Sequence, residues 1–182
     1  LTVPASAKVT NTGNLTYGLS FNGTNLFTAT RKDGLFIYDA SLTSPISYTD
    51  GASTYKKVVA QADGSMVIAL FDGITGNAQL LPAALVGAIV TPGTAVDLGS
   101  SFIEINDLAV SGNTAFVAGK ISGTDQGKVS FVDLTTGTAG STISTTEVVT
   151  SVAVDGGTLY VGHGTKVGVV NTSTLVSTTF DN

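Results

Sequence analysis

Three acids stand apart from the other ionisable groups of this chain. Glu104, Asp107 and Glu147 recur at no equivalent place elsewhere, and Glu104 and Asp107 flank Ile105-Asn106. Carboxylates so close together are the usual apparatus for acid and base work at a glycosidic bond, and with Asn106 they also form an oxygen set for a hard cation. A second group comprises Tyr17 and the run Tyr55-Lys56-Lys57. Rings beside ammonium groups suit stacking on a sugar or a peptide. The one histidine, His163, lies in Gly162-His163-Gly164-Thr165-Lys166 with no His, Cys or Glu at ligand spacing nearby. It reads as the decoration of a turn, and its removal is expected to be silent. The same stretch is not a phosphate loop, because that loop needs Gly-x-x-x-x-Gly-Lys and a helix after it. Most remaining acids are turn formers: Asp33, Asp50, Asp63, Asp72 and Asp155 each precede a glycine. No residue is assigned a catalytic role, no metal site is assigned, and nothing in the sequence asks for a cofactor.

Composition narrows the classes further. Of 182 residues, 42% are hydrophobic and 12% are charged. The charged share is about half the roughly 25% of ordinary globular chains, and Thr, Ser and Gly take its place. Such a surface suits an extracellular or cell-surface setting. The chain starts at Leu1, as expected of a processed or excised product. A net charge of −5 with eight scattered Lys and Arg leaves no basic cluster to displace counterions from phosphates, so nucleic acid is excluded as a partner. Without cysteine there are no disulfides, thiolate zinc sites or iron–sulfur clusters. Membrane insertion by a helix needs about 18 apolar residues, and the nearest run, Leu80 to Val90, is broken by Pro82 and Gly87.

What must position the candidate residues is a repeat. The segments 19–29, 59–69, 108–118 and 152–162 share one template: an alternating strand, a tight turn and a second apolar strand. The turns carry Asn22-Gly23, Asp63-Gly64, Ser111-Gly112 and Asp155-Gly156, where glycine supplies the positive φ of a hairpin. Phe21, Ala62, Val110 and Val154, each just before a turn, are spaced by 41, 48 and 44 residues. A third strand follows at 34–41, 128–137 and 166–174, ending in Asp39, Asp133 or Asn171, and then a short fourth. In the second repeat Pro82 interrupts the third strand, which is expected to be an edge or to end there. Helical periodicity is sustained nowhere. The spacing predicts an all-β, β-propeller-like domain over 1–182, with four repeats of four short antiparallel strands at 15–50, 55–100, 104–146 and 149–180 and an N-terminal strand within 1–14. Leu26, Phe27, Phe116, Val117, Leu159, Tyr160 and Val161 are predicted to pack between repeats on the second strands.

Gly34-Leu-Phe-Ile-Tyr-Asp39 and Lys128-Val-Ser-Phe-Val-Asp133, each after such a hairpin, resemble the LVIVD- and YVTN-type repeats of the β-propeller superfamily. The resemblance covers residues 15 to 180 and implies a central channel whose mouth receives the ends of the inner strands. It places Tyr17, Tyr55, Lys56, Glu104, Asn106 and Asp107 at such a mouth as a ligand-binding set. Residues 7–12, with Lys8, Val9, Thr10 and Asn11, read as one strand too many, since 175–180 already supplies a fourth strand to the last repeat. The spare strand is expected to pair with another copy or a further segment. The function expected is a non-enzymatic structural or interaction module, outside the cytoplasm and within a larger surface or filamentous assembly, with a protein partner or itself as partner. The alternative is a carbohydrate-binding or glycan-cleaving propeller.

Overall fold

Period-two alternation and glycine turns at regular intervals leave the chain little choice but short hairpins, and the structure, a computed structural model describing residues 15–39 and 44–174, consists of strands joined by turns. The first sheet holds β1 (Thr16–Phe21), β2 (Leu26–Thr30), β3 (Gly34–Tyr38) and β4 (Ile46–Tyr48) in chain order. In the second, β5 (Thr54–Ala60), β6 (Ser65–Phe71), β7 (Ala78–Val86) and β8 (Ile89–Pro92) are joined by β9 (Val96–Asp97). The third contains β10 (Phe102–Ser111), β11 (Thr114–Ile121), β12 (Gly127–Asp133) and β13 (Thr138–Thr145). The described part of the fourth contains β14 (Val149–Asp155), β15 (Thr158–His163) and β16 (Lys166–Asn171). All ladders are antiparallel, and the four sheets form a four-blade β-propeller with β1, β5, β10 and β14 as its inner strands. Gly23, Gly64, Gly112 and Gly156 all carry positive φ at the first hairpin of each blade, as the turn chemistry requires.

Stability comes from side chains between blades. Phe27, Leu35 and Ile37 of the first blade meet Tyr55, Met66 and Ile68 of the second. Val67, Ala69 and Leu80 then meet Leu108, Val117 and Val132 of the third. Phe116, Val129 and Phe131 complete the series against Val152, Leu159 and Val161 of the fourth. A blade with neighbours on both sides buries alternate residues in opposite directions, so its middle strand is apolar throughout. Met66 to Leu70 and Ala115 to Ala118 follow this rule. Among the described residues no comparable strand packing joins the fourth blade to the first.

Three expectations need correction. Pro82 does not end its strand or mark an edge: β7 runs through it, with Val67 opposite on β6. The outer neighbour divides instead, β8 pairing from Ala83 onward and β9 at Gln79 and Leu80. The Pro82 carbonyl accepts a bond from the Gly93 N–H at 2.8 Å, so its nitrogen, on the same side of the strand, faces the break between the two outer strands, where no donor is needed. Leu26 and Tyr160 are not packed between blades: Leu26 is half-buried on the face of β2 turned away from the first interblade cluster, and Tyr160 is 41% exposed on a face of β15 that no following blade covers among the described residues. His163 is not a turn residue. It ends β15 opposite Val149 and Lys166, continues the buried row of Leu159 and Val161, and is 1% exposed. The proposed strand at 7–12 and the fourth strand at 175–180 lie outside the described residues.

Candidate functional site

Each inner strand carries a bulge at an equivalent place. The register slips between Thr16 and Gly18 in β1, between Tyr55 and Lys57 in β5, between Ile105 and Asp107 in β10 and between Val149 and Ser151 in β14. A bulge re-aims one side chain out of the alternation. The residues so released are Tyr17, Lys56, Asn106 and Thr150, one from each blade. Three of them, with Lys57, Glu104 and Ile105, line a cavity of about 300 Å³ at one end of the channel.

Local chemistry holds this mouth in shape. The Lys56 ammonium lies 4.1 Å from the centre of the Tyr17 ring, a cation–π pair across the first two blades. A Cβ on Gly119 would collide with the Glu104 carbonyl, so the bulged end of β10 requires glycine on the neighbouring strand. Asn106 and Asp107 reach the next blade: Asn106 Nδ2 donates to the Val149 carbonyl at 2.8 Å, and the Asp107 carboxylate accepts from the Val152 N–H at 2.9 Å. Both are thereby half committed to holding β14 beside β10. Asp107 also borders the adjoining channel cavity of about 410 Å³ between β1, β5 and β10.

The structure thus brings Tyr17, Lys56, Glu104 and Asn106 together, sets Asp107 next to them and removes Tyr55. Tyr55 is fully buried in the first interblade core, edge-on to Tyr48 at 6.4 Å, and its hydroxyl accepts from the Asp50 N–H at 3.1 Å. Burial pushes that hydroxyl well above the usual phenol range. Glu147 belongs to another place, where its carboxylate presses on Gly164 and stands 4.0 Å from His163 Nδ1. Reading the sequence strand by strand missed this pair, although the alternation Leu159, Val161, His163 carried the signal.

Several of the other acids act on the backbone, while Asp125 pairs with the Lys120 ammonium at 2.9 Å. Asp50 accepts from Ala52 and Ser53, Asp72 from Ile74 and Thr75, Asp97 from Gly99, and Asp133 from Thr135 and Thr136. Hydrogen bonds to the Thr75 hydroxyl and the Ile74 N–H hold the Asp72 carboxyl below the ordinary range, and the Thr135 and Thr136 N–H groups do so for Asp133. Among the described residues no group of three or more His, Asp or Glu converges on a metal-sized point. What the channel mouth offers is a ring face, an ammonium, a carboxylate and an amide, which is equipment for recognition by stacking and hydrogen bonds.

No family profile and no curated protein matches the chain. Among solved structures it is similar to the computationally designed Ika4 protein (TM-score 0.67, 16% identity, covering 90% of this chain and 95% of that one). It is similar to a chain of a nidogen/laminin complex at TM-score 0.67 and 12% identity, covering 94% and 65%. The β-propeller domain of Cps50 (Swd1) from Myceliophteria thermophila matches at TM-score 0.59 and 12% identity, covering 87% of this chain and 53% of that domain. The chain therefore spans about half of that propeller. Similarity at this level concerns the fold alone.

Proposed function

We propose that this protein is a non-enzymatic structural or interaction module that works outside the cytoplasm as one part of a larger surface or filamentous assembly. The observation that carries the reading is the state of the two end blades. Leu19 and Phe21 of the first blade are 66% and 48% exposed, and Tyr160 and Val167 of the fourth are 41% and 60% exposed. Large apolar side chains gathered on sheet faces at both ends of the molecule mark surfaces that meet other protein. The sparse charge agrees with a chain whose surface is largely engaged. The test is the size of the native particle: in extracts of the source, the protein should elute well above its 18.3 kDa, and Leu19→Lys should shift it to lower mass. Elution of the wild-type protein as a lone chain would overturn the reading.

The channel mouth favours a second reading, glycan binding, because Tyr17, Lys56, Glu104 and Asn106 converge there. Calorimetry against a glycan panel decides it. Saturable heat abolished by Tyr17→Ala supports a sugar site, and silence across the panel removes it.

A further inference from the structure

We infer that the channel mouth binds an acidic sugar, a glycan unit that carries a carboxylate, with Lys56 and Lys57 receiving that group and Glu104 and Asn106 receiving its hydroxyls. The inference rests on the glycan-binding reading and names the class of glycan. In a regular strand two neighbouring side chains point to opposite faces. The slip between Tyr55 and Lys57 suspends that rule in β5, and Lys56 and Lys57 both line the mouth cavity. Like charges set side by side repel. Among the described residues neither ammonium is paired with a carboxylate, the ion pairs being Lys120 with Asp125 and His163 with Glu147. A chain with a net charge of −5 and only eight Lys and Arg thus gathers two unneutralised cations at one end of its channel.

The rest of the cavity selects among anions. Tyr17 seats the first cation: its ring lies 4.1 Å from the Lys56 ammonium and the Phe71 ring 5.9 Å from it, so that charge is held in place before a ligand arrives. Gly18 lets β1 come this close to β5, since a Cβ there would meet the Lys57 Cα at 2.9 Å. The third blade supplies acceptors. Asn106 Nδ2 is taken by the Val149 carbonyl, which leaves its Oδ1 to accept, and Glu104 is an exposed carboxylate that only accepts when ionised. Lys120, opposite Glu104 in the ladder, tempers its charge. A neutral sugar would leave both ammonium groups without a counter-ion, and an inorganic anion such as phosphate has little to donate to the acceptors. An acidic sugar satisfies both sets, with one carboxylate for the two cations and several O–H groups for the two acceptors. Two cations around about 300 Å³ suit one small ligand and are too few for a nucleic-acid backbone. The adjoining cavity of about 410 Å³ shares Tyr17 and Lys57 and gives a neighbouring sugar a place to lie.

The experiment is calorimetry on the full chain with trisaccharides of galacturonic, glucuronic and mannuronic acid and with their methyl esters, which lack the charge. The result expected is saturable binding of at least one acid, about tenfold or more tighter than its ester, and weakening as salt is raised. Lys56→Met and Lys57→Met should each bring the acid down to the affinity of its ester while keeping the β-sheet circular dichroism, and either variant suffices should the other fail to fold. An acid and its ester bound equally, or an acid untouched by these substitutions, would overturn the acid preference and leave a glycan site standing. Inorganic phosphate bound as tightly as the acid sugar would reduce the mouth to a plain anion site and overturn the sugar. Silence toward all three acids would also overturn the inference, while heat from neutral glycans abolished by Tyr17→Ala would still support the glycan-binding reading.

Discussion

In β11 of the third blade, Ala115, Phe116, Val117 and Ala118 are all at most 1% exposed, whereas in β15 of the fourth, Leu159 and Val161 are fully buried and Tyr160 between them is 41% exposed. The two blades share a plan. Both open with a bulged inner strand, both turn at a positive-φ glycine, and both close the third strand with a side chain that accepts two backbone bonds, Asp133 from Thr135 and Thr136, Asn171 from Ser173 and Thr174. Among the described residues they differ in having neighbours on two sides or on one. The same apolar run is core in one blade and surface in the other, so the energy of a residue here is set by the adjacent blade more than by its own strand.

The largest expected effect tests the two-sided blade. Phe116 is 1% exposed and edge-on to Phe131 at 5.0 Å, and Phe116→Ala should cost about 3–5 kcal/mol in denaturant unfolding. A loss under about 1 kcal/mol would mean that the seams do not hold the blades. Next comes the buried row of the one-sided blade: His163→Ala should cost about 1–3 kcal/mol, since the imidazole fills the seam with the third blade. An unchanged melting temperature would return His163 to the surface role that its flanking glycines suggest. Tyr160→Thr, on the open face, should change unfolding by no more than about 0.5 kcal/mol in dilute solution. A cost matching that of Phe116 would erase the contrast between the blades. The smallest effect concerns acid. The Asp133 carboxyl is held below its ordinary pKa of about 3.9, so between the folded and unfolded values the unfolded chain binds more protons and stability rises with pH. This contribution is complete above the unfolded value and is lost as pH falls through the folded one. Asp133→Asn makes the third blade's turn like the fourth's and should flatten the fall in melting temperature below about pH 4; an unaltered acid profile would show that the turn contributes nothing.

Much of the fold was legible because hairpins announce themselves locally. Asn22-Gly23, Asp63-Gly64, Ser111-Gly112 and Asp155-Gly156 mark the turns, and the alternation before and after them marks the strands. Pro82 was misread because the rule about proline concerns a missing donor. It is silent on whether the strand stops or the neighbour parts. Tyr160 was misread because a continuous apolar run has the same appearance whether one or both of its faces are covered. At the channel mouth, Tyr17, Lys56, Glu104 and Asn106 were recognisable by type, but Tyr55 was grouped with them on proximity alone. A bulge is a relation between two strands, and the slip in β5 sends adjacent residues to opposite fates, Tyr55 into the core and Lys56 to the mouth. No single segment contains that information.

The side-chain bonds that run from one inner strand to the next are unevenly distributed. The Ser20 hydroxyl accepts from the Ala60 N–H at 3.0 Å and Asn22 donates to the Gln61 carbonyl at 3.2 Å, linking the first blade to the second, while Asn106 and Asp107 link the third to the fourth. Among the described residues the second and third blades have no such link and meet through apolar packing alone. Packing resists separation poorly once a gap opens, because dispersion forces fall away within about an ångström, whereas a hydrogen bond to backbone pins two strands in register. Pulled from its ends, the molecule would therefore part in the middle, and mechanically it is a hinge between two riveted pairs.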